Sequence, residues 1–204
     1  MHEDPAQSVE EDEIPLTELL RIESGKKALL TIIAGLIGAV VFALIYVIPM
    51  PFIMVSLLKF SLIPALAIIA LAGAIRGPLA GFVAGYLGLV LHDLVFFNTV
   101  VSFTLPAVGF GVLGLIVGFS SYDLTNGRSL AKLSILAAVG LVFMALLLTV
   151  ISLYVDQHSI LVALGFTLLP LLTSGLPSVI FITPILARIW SFLSTKIEIP
   201  WDIS

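Results

Sequence analysis

The chain contains no cysteine, which excludes disulfides, thiolate nucleophiles and iron–sulfur ligation. It is also poor in charge. Asp, Glu, Lys and Arg make up 11% of its 204 residues, against roughly a quarter in a soluble domain. No GxxxxGK[ST] segment occurs, so the chain carries no P-loop with which to hydrolyse a nucleotide. HExxH and GxSxG are absent too, and neither a zinc peptidase nor a serine hydrolase is indicated. No basic run suggests nucleic-acid binding. The reading is of a protein that is not an enzyme and carries no cofactor.

What is present is hydrocarbon. Hydrophobic residues make up 60% of the chain and the mean hydropathy is +1.22. Uncharged runs of about 18 residues or more mark a polytopic membrane protein. The runs are continuous rather than alternating, which favours helices over a barrel. The net charge of -4 is a local effect. Eight of the thirteen acids (Glu3, Asp4, Glu10, Glu11, Asp12, Glu13, Glu18 and Glu23) precede the first apolar run, and the remainder of the chain is basic.

Residues 1–25 read as a disordered acidic tail with a short amphipathic helix over 14–21. They lack the basic start and apolar stretch of a signal peptide. His2 has no second metal ligand of its kind near it. Residues 26–196 read as a six-helix transmembrane domain, and 197–204 as a short C-terminal tail. The pattern predicts helices over 27–47, 57–74, 78–96, 103–119, 130–154 and 176–193, the last kinked at Pro184. The apolar segment 160–174, broken by Pro170, is either a re-entrant piece or the first half of one long bent helix.

Six spans place Lys26, Lys27, Arg76, Arg128, Lys132, Arg188 and Lys196 on one side of the bilayer. Lys59, Asp93 and Asp156 fall on the other. By the positive-inside rule both termini are cytoplasmic and the protein sits in the cell membrane. Small residues recur every fourth position in the first helix: Gly35, Ala39 and Ala43 form one stripe, Ala34 and Gly38 a second. Such stripes let another helix approach closely. The partner is either the chain's own bundle or a separate membrane subunit.

The richest stretch runs from Lys59 to Leu94. Two apolar helices meet at a tight turn, Ile75-Arg76-Gly77-Pro78, and the polar pair His92-Asp93 closes the second. Ionisable groups near a span are costly and need a reason. Four elements occur in order: Ala39-Val-Val-Phe-Ala43, Pro49-Met-Pro-Phe, Lys59-Phe-Ser-Leu-Ile-Pro-Ala65 and Gly77-Pro-Leu-Ala-Gly81-Phe-Val-Ala-Gly85. Together they resemble the substrate-binding S components of energy-coupling factor (ECF) transporters, riboflavin-type members in particular. The first matches that family's AxxxA docking motif and the last its GPxxGxxxG turn. Ile75-Arg76 departs from the aromatic that usually precedes the turn.

The resemblance implies an all-α six-helix bundle that binds a small water-soluble nutrient, such as a vitamin, from outside. It further implies docking through Gly35, Ala39 and Ala43 onto a transmembrane coupling subunit driven by two ATPases. The candidate ligand contacts are Lys59, His92, Asp93, Phe96, Asn98, Asp156 and Gln157. A mostly apolar pocket with a few placed polar groups suits such a ligand. Ser174, Gly175 and Pro177 form a candidate break above the last helix. Two alternatives come from the same residues. One is another small membrane transporter, channel or structural subunit. The other, less favoured, is an intramembrane metal enzyme built on His92, Asp93 and His158.

Overall fold

A computed structural model describes residues 25–48, 62–99 and 105–196 with their side chains, the backbone of 52–55 and 58–61, and Leu20. The expected acidic tail and amphipathic helix, the Pro49-Met-Pro loop and the tail over 197–204 lie outside the described residues.

Among those residues there are six helices, α1 (Gly25–Tyr46), α2 (Pro64–Arg76), α3 (Pro78–Phe97), α4 (Pro106–Gly118), α5 (Gly127–Tyr154) and α6 (Ile160–Lys196). Four of them, α1, α3, α5 and α6, are long and apolar enough to cross a membrane. Large apolar side chains such as Leu29, Leu44, Phe143, Leu161 and Phe166 are exposed around the outside. A soluble monomer does not carry apolar surface on that scale. The fold is an all-α membrane bundle.

One departure from helix is a hairpin. Strand β1 (Phe52–Val55) pairs antiparallel with β2 (Leu58–Ser61), Met54 opposite Lys59. The expected second helix over 57–74 therefore starts late, at Pro64. A continuous apolar run does not distinguish a buried helix from a strand. Proline at the first helical position fits because its missing N–H would be unpaired there anyway.

Close backbone approach organises α1 to α4. The chain turns between α2 and α3 at Gly77, whose φ of 92 suits glycine. Gly81 and Gly114 then face each other so closely that a Cβ on either would strike the other's backbone. Gly85 sits in the same way on Phe110, and Gly118 on the Gly77–Pro78 junction. These contacts give the GPxxGxxxG segment a physical role: it is the α3 half of a glycine seam with α4. Without a hydrophobic drive between helices in lipid, such packing is a main source of association. Phe42, Leu66, Ile69, Leu113, Leu141 and Met144 fill the core between the helices.

The α4–α5 loop is tied at its ends. Asn126 caps α5 by accepting from the Arg128 N–H at 3.0 Å, which starts that helix three residues earlier than expected. Asp123 accepts from the Thr125 hydroxyl at 2.6 Å and its N–H at 2.9 Å. Those bonds, the hydroxyl's first, hold the Asp123 carboxyl below the ordinary carboxylate range. Arg188 of α6 donates to the Thr125 carbonyl.

The segment 160–174 is the first part of α6, continuous with the rest. Wider π-helical turns occupy Ala163–Leu168, Leu171–Gly175 and Ser178–Ile182. Each closes two residues before a proline: Pro170, Pro177 and Pro184. Proline removes one helical donor and crowds the carbonyl four residues back, and a wider turn relieves both. At Pro184 that carbonyl belongs to Ile180, and Ser134 Oγ donates to it at 3.0 Å.

Candidate functional site

Successive helices alternate in direction, so the bundle has two unlike ends. Arg76, Arg128, Lys132, Arg188 and Lys196 share one end, while the hairpin, His92, Asp93 and the α5–α6 turn share the other. The hairpin end holds the candidate ligand site.

Its centre is an aromatic and polar cluster on α1, α3 and α4. His92 is 6% exposed in spite of lying near a helix end. Its Nδ1 is 2.9 Å from Asp93 Oδ1. Its ring meets Tyr46 edge-on at 4.8 Å, with Phe96 at 5.5 Å and Phe97 at 5.4 Å. Tyr46 in turn stacks on Phe42 at 5.1 Å and meets Phe110 edge-on at 6.1 Å. Glycine makes this possible, because Gly88 of α3 leaves room for the Phe42 ring. The result is a carboxylate beside an imidazole on an aromatic bed. The carboxylate can accept hydrogen bonds from a polar ligand, and the exposed Phe96 and Phe97 rings beside it can contact a flat one.

α2 starts halfway along the bundle. The Ile63 N–H, just before it, donates to Ser178 Oγ at 2.6 Å, and Ser178 is the midpoint of α6. β2 packs against Leu171–Gly175 of α6. The half of the bundle at the His92 end therefore holds a hairpin where a full-length helix would stand.

The expected ligand contacts separate into groups. His92, Asp93 and Phe96 belong to the cluster. Lys59 lies on β2, opposite Met54. Asn98 is exposed, with φ 52, and ends α3 by directing its N–H to the Asp93 carbonyl. Asparagine tolerates that left-handed conformation better than most residues. Asn98→Gly keeps the conformation and removes the amide, so ligand affinity is expected to change by less than about twofold. A loss of tenfold or more would make the amide a ligand contact. Asp156 and Gln157 are exposed on the α5–α6 turn, where Gln157 Nε2 donates to the Tyr154 carbonyl at 2.6 Å. His158 does not join His92; its Nδ1 is 3.0 Å from Ser152 Oγ. Among the described residues no three His, Cys, Asp or Glu side chains come together as a metal set. Ser174 and Gly175 are buried within a π-turn of α6.

Sequence reasoning missed Tyr46, Phe110 and Ser178. Tyr46 closes the first apolar run, where an aromatic reads as an interface anchor. Nothing local marks the other two.

Of the two stripes of α1 only Ala34 is left partly open. Gly35 packs on Val83 and Ala80 of α3, and Ala39 and Ala43 are buried at 0% and 6% exposure. That stripe is the α1–α3 seam, taken up inside the bundle. Half-buried Ala34 lines an apolar groove of about 330 Å³ between α1 and α2; Gly38 borders the same groove but is buried, a Cβ there meeting Ala84 of α3 and Ala72 of α2. Ile33, Ile37, Ile68, Leu71, Arg76 and Trp190 also border it. It lies toward the basic end, away from the His92 cluster.

Comparison with known proteins gives the class. The profile of the family described as "ECF-type riboflavin transporter, S component" matches residues 26–193. The chain belongs to that family, and it is a membrane protein. Two curated relatives, both called "UPF0397 protein", come from Clostridium perfringens strains ATCC 13124 and SM101. They are 37% and 36% identical over 70 residues, which cover 34% of this chain and 36% of each relative. The chain thus spans about a third of the length of the curated relatives it matches. No solved structure matches.

Proposed function

We propose that this protein is the substrate-binding membrane subunit of an ECF-type transporter. It captures a small water-soluble nutrient at the hairpin end and passes it to a coupling subunit driven by ATPases. The observation that carries the reading is the His92–Asp93 pair on its aromatic bed, in a chain of this family. Riboflavin, which the family's description names, is the first ligand to test. Its flat ring system suits the exposed Phe96 and Phe97 rings beside the pair. The experiment is uptake by liposomes that hold this chain, the coupling subunit and both ATPases. ATP-dependent accumulation of labelled vitamin is expected. Equal accumulation without the ATPases would contradict it and favour a self-sufficient transporter.

The basic end faces the cytoplasm in this reading, by the positive-inside rule. Single cysteines report it cleanly in a chain with none of its own. Residues 50, 98 and 157 are expected to react with an impermeant maleimide from outside, and 76 and 126 only after lysis. Labelling of residue 126 from outside would reverse the orientation.

The groove between α1 and α2 is the proposed coupling surface, and its occupant is an apolar helix of the coupling subunit. The small side chain of half-buried Ala34 lets such a helix approach. Filling the groove with Ala34→Trp is expected to reduce co-purification with the coupling subunit by about tenfold or more, the usual effect of a central interface change. Ligand affinity should be retained. Unchanged complex yield would exclude this surface.

A further inference from the structure

The prolines of α6 recur every seven residues, and the helix changes character along that series. Its inner part is anchored. Val179, Thr183 and Ala187 are fully buried, Ser134 holds the Ile180 carbonyl and Arg188 holds Thr125. Its outer part packs, among the described residues, against α5 alone. From Ile160 to Pro170 only Ala163 is buried, and Leu161 and Phe166 are 79% and 80% exposed. Segments with few buried contacts are the ones that open most readily.

Ser178 stands where the two regimes meet. Its hydroxyl donates to the Ser174 carbonyl at 2.7 Å, across Pro177. The same oxygen accepts from the Ile63 N–H, at the base of the hairpin. Its side chain is fully buried. One hydroxyl thus ties the proline-containing turn of α6 to the segment that carries Lys59. π-turns and prolines are the usual sites at which a helix bends.

We propose that the outer half of α6 is a hinged wall of the ligand site, bending at the Pro170 and Pro177 turns. Ser178 is the positioning residue that sets its closed position. The proposal rests on the ligand-site reading above. An outward swing would carry Leu171–Gly175 away from β2 and widen the hairpin end. Closure would return both to the Ser178 hydroxyl. The inner half, which borders the groove through Trp190, stays fixed.

Distances between paired nitroxide labels test this in lipid nanodiscs. One pair, Leu161→Cys with Ile135→Cys, spans the hinge; the other, Leu29→Cys with Ile189→Cys, lies in the inner half. All four side chains are exposed. The first pair is expected to give a broad or two-peaked distribution and the second a narrow one. Ser178→Ala removes both bonds of that hydroxyl and should raise the minor, longer-distance population about fivefold, the shift expected from losing the one that crosses to Ile63. Ser134→Ala, which breaks a bond in the inner half, should not. Pro177→Ala should narrow the first pair. Saturating riboflavin, with binding confirmed by native mass spectrometry, should also narrow it. A single narrow peak in both the parent and Ser178→Ala would overturn the hinge. A broad peak that bound riboflavin leaves unchanged would overturn its role at the site. A broad peak with no riboflavin bound supports the hinge and counts against riboflavin as the ligand.

Discussion

Gly114→Ala is expected to lower the melting temperature by about 6–12 °C, the shift that a loss of about 3 kcal/mol produces in a domain of this size. Only one methyl group is added. What decides the effect is its neighbour. The new Cβ would meet the Gly81 backbone, which cannot rotate away as a side chain can. The helices must then move apart, and every contact along the α3–α4 seam loosens with them. Gly85 on Phe110 and Gly118 on Pro78 share that seam. Gly165→Ala is the matched control, because nothing lies within 4 Å of its Cβ position. It should be neutral or slightly stabilising, since alanine is the better helix former. Equal melting temperatures for the two variants would mean that the seam is not as close as described.

Asp93→Ala is expected to weaken ligand binding by about tenfold to a hundredfold, with His92→Ala in the same range. A hydrogen bond to a charged group contributes about 1.5–3 kcal/mol when buried, which converts to that range of affinity. The Asp93 side chain is only 15% exposed and that of His92 8%, so water does little to replace a lost contact. Tyr46→Leu should cost about threefold to tenfold through the lost ring contact. Asp123→Ala and Arg128→Ala, at the opposite end of the bundle, should bind as the parent does. Titration of each purified variant in nanodiscs reads all of these. Parent-like affinity for both Asp93→Ala and His92→Ala would exclude the cluster as the site, whatever the family.

Long apolar runs bounded by turn residues were readable with little error. The expected helix over 78–96 is α3, Pro78–Phe97, and the one over 27–47 is α1, Gly25–Tyr46. Polar or proline punctuation marks those ends. The hairpin was not legible, because 52–61 is as apolar as its surroundings and neither period dominates. α6 was legible only as two options. Pro170, Pro177 and Pro184 lower the odds of helix locally, and the compensation comes from π-turns and, at Pro184, from Ser134, which is 46 residues away in sequence from the Ile180 carbonyl it holds.

The site was half legible. His92 and Asp93 stood out because ionisable groups near spans are rare. The sequence carried no sign that Tyr46 meets His92 or that Phe110 backs Tyr46, since that depends on how α1 crosses α3 and α4. The small-residue stripes were visible, but not which way each faces. One residue of rotation separates Ala34, half-buried on the groove, from Gly35, buried on the α3 seam, while Gly38 touches both α2 and α3.

The most direct measurement of the central claim is native mass spectrometry of the protein released from nanodiscs, after growth in medium containing riboflavin and other vitamins. The account predicts one small polar molecule bound per chain, lost on Asp93→Ala and retained on Asp123→Ala. A chain that carries no ligand under any of these conditions, or that keeps the same ligand equally in both variants, would contradict it.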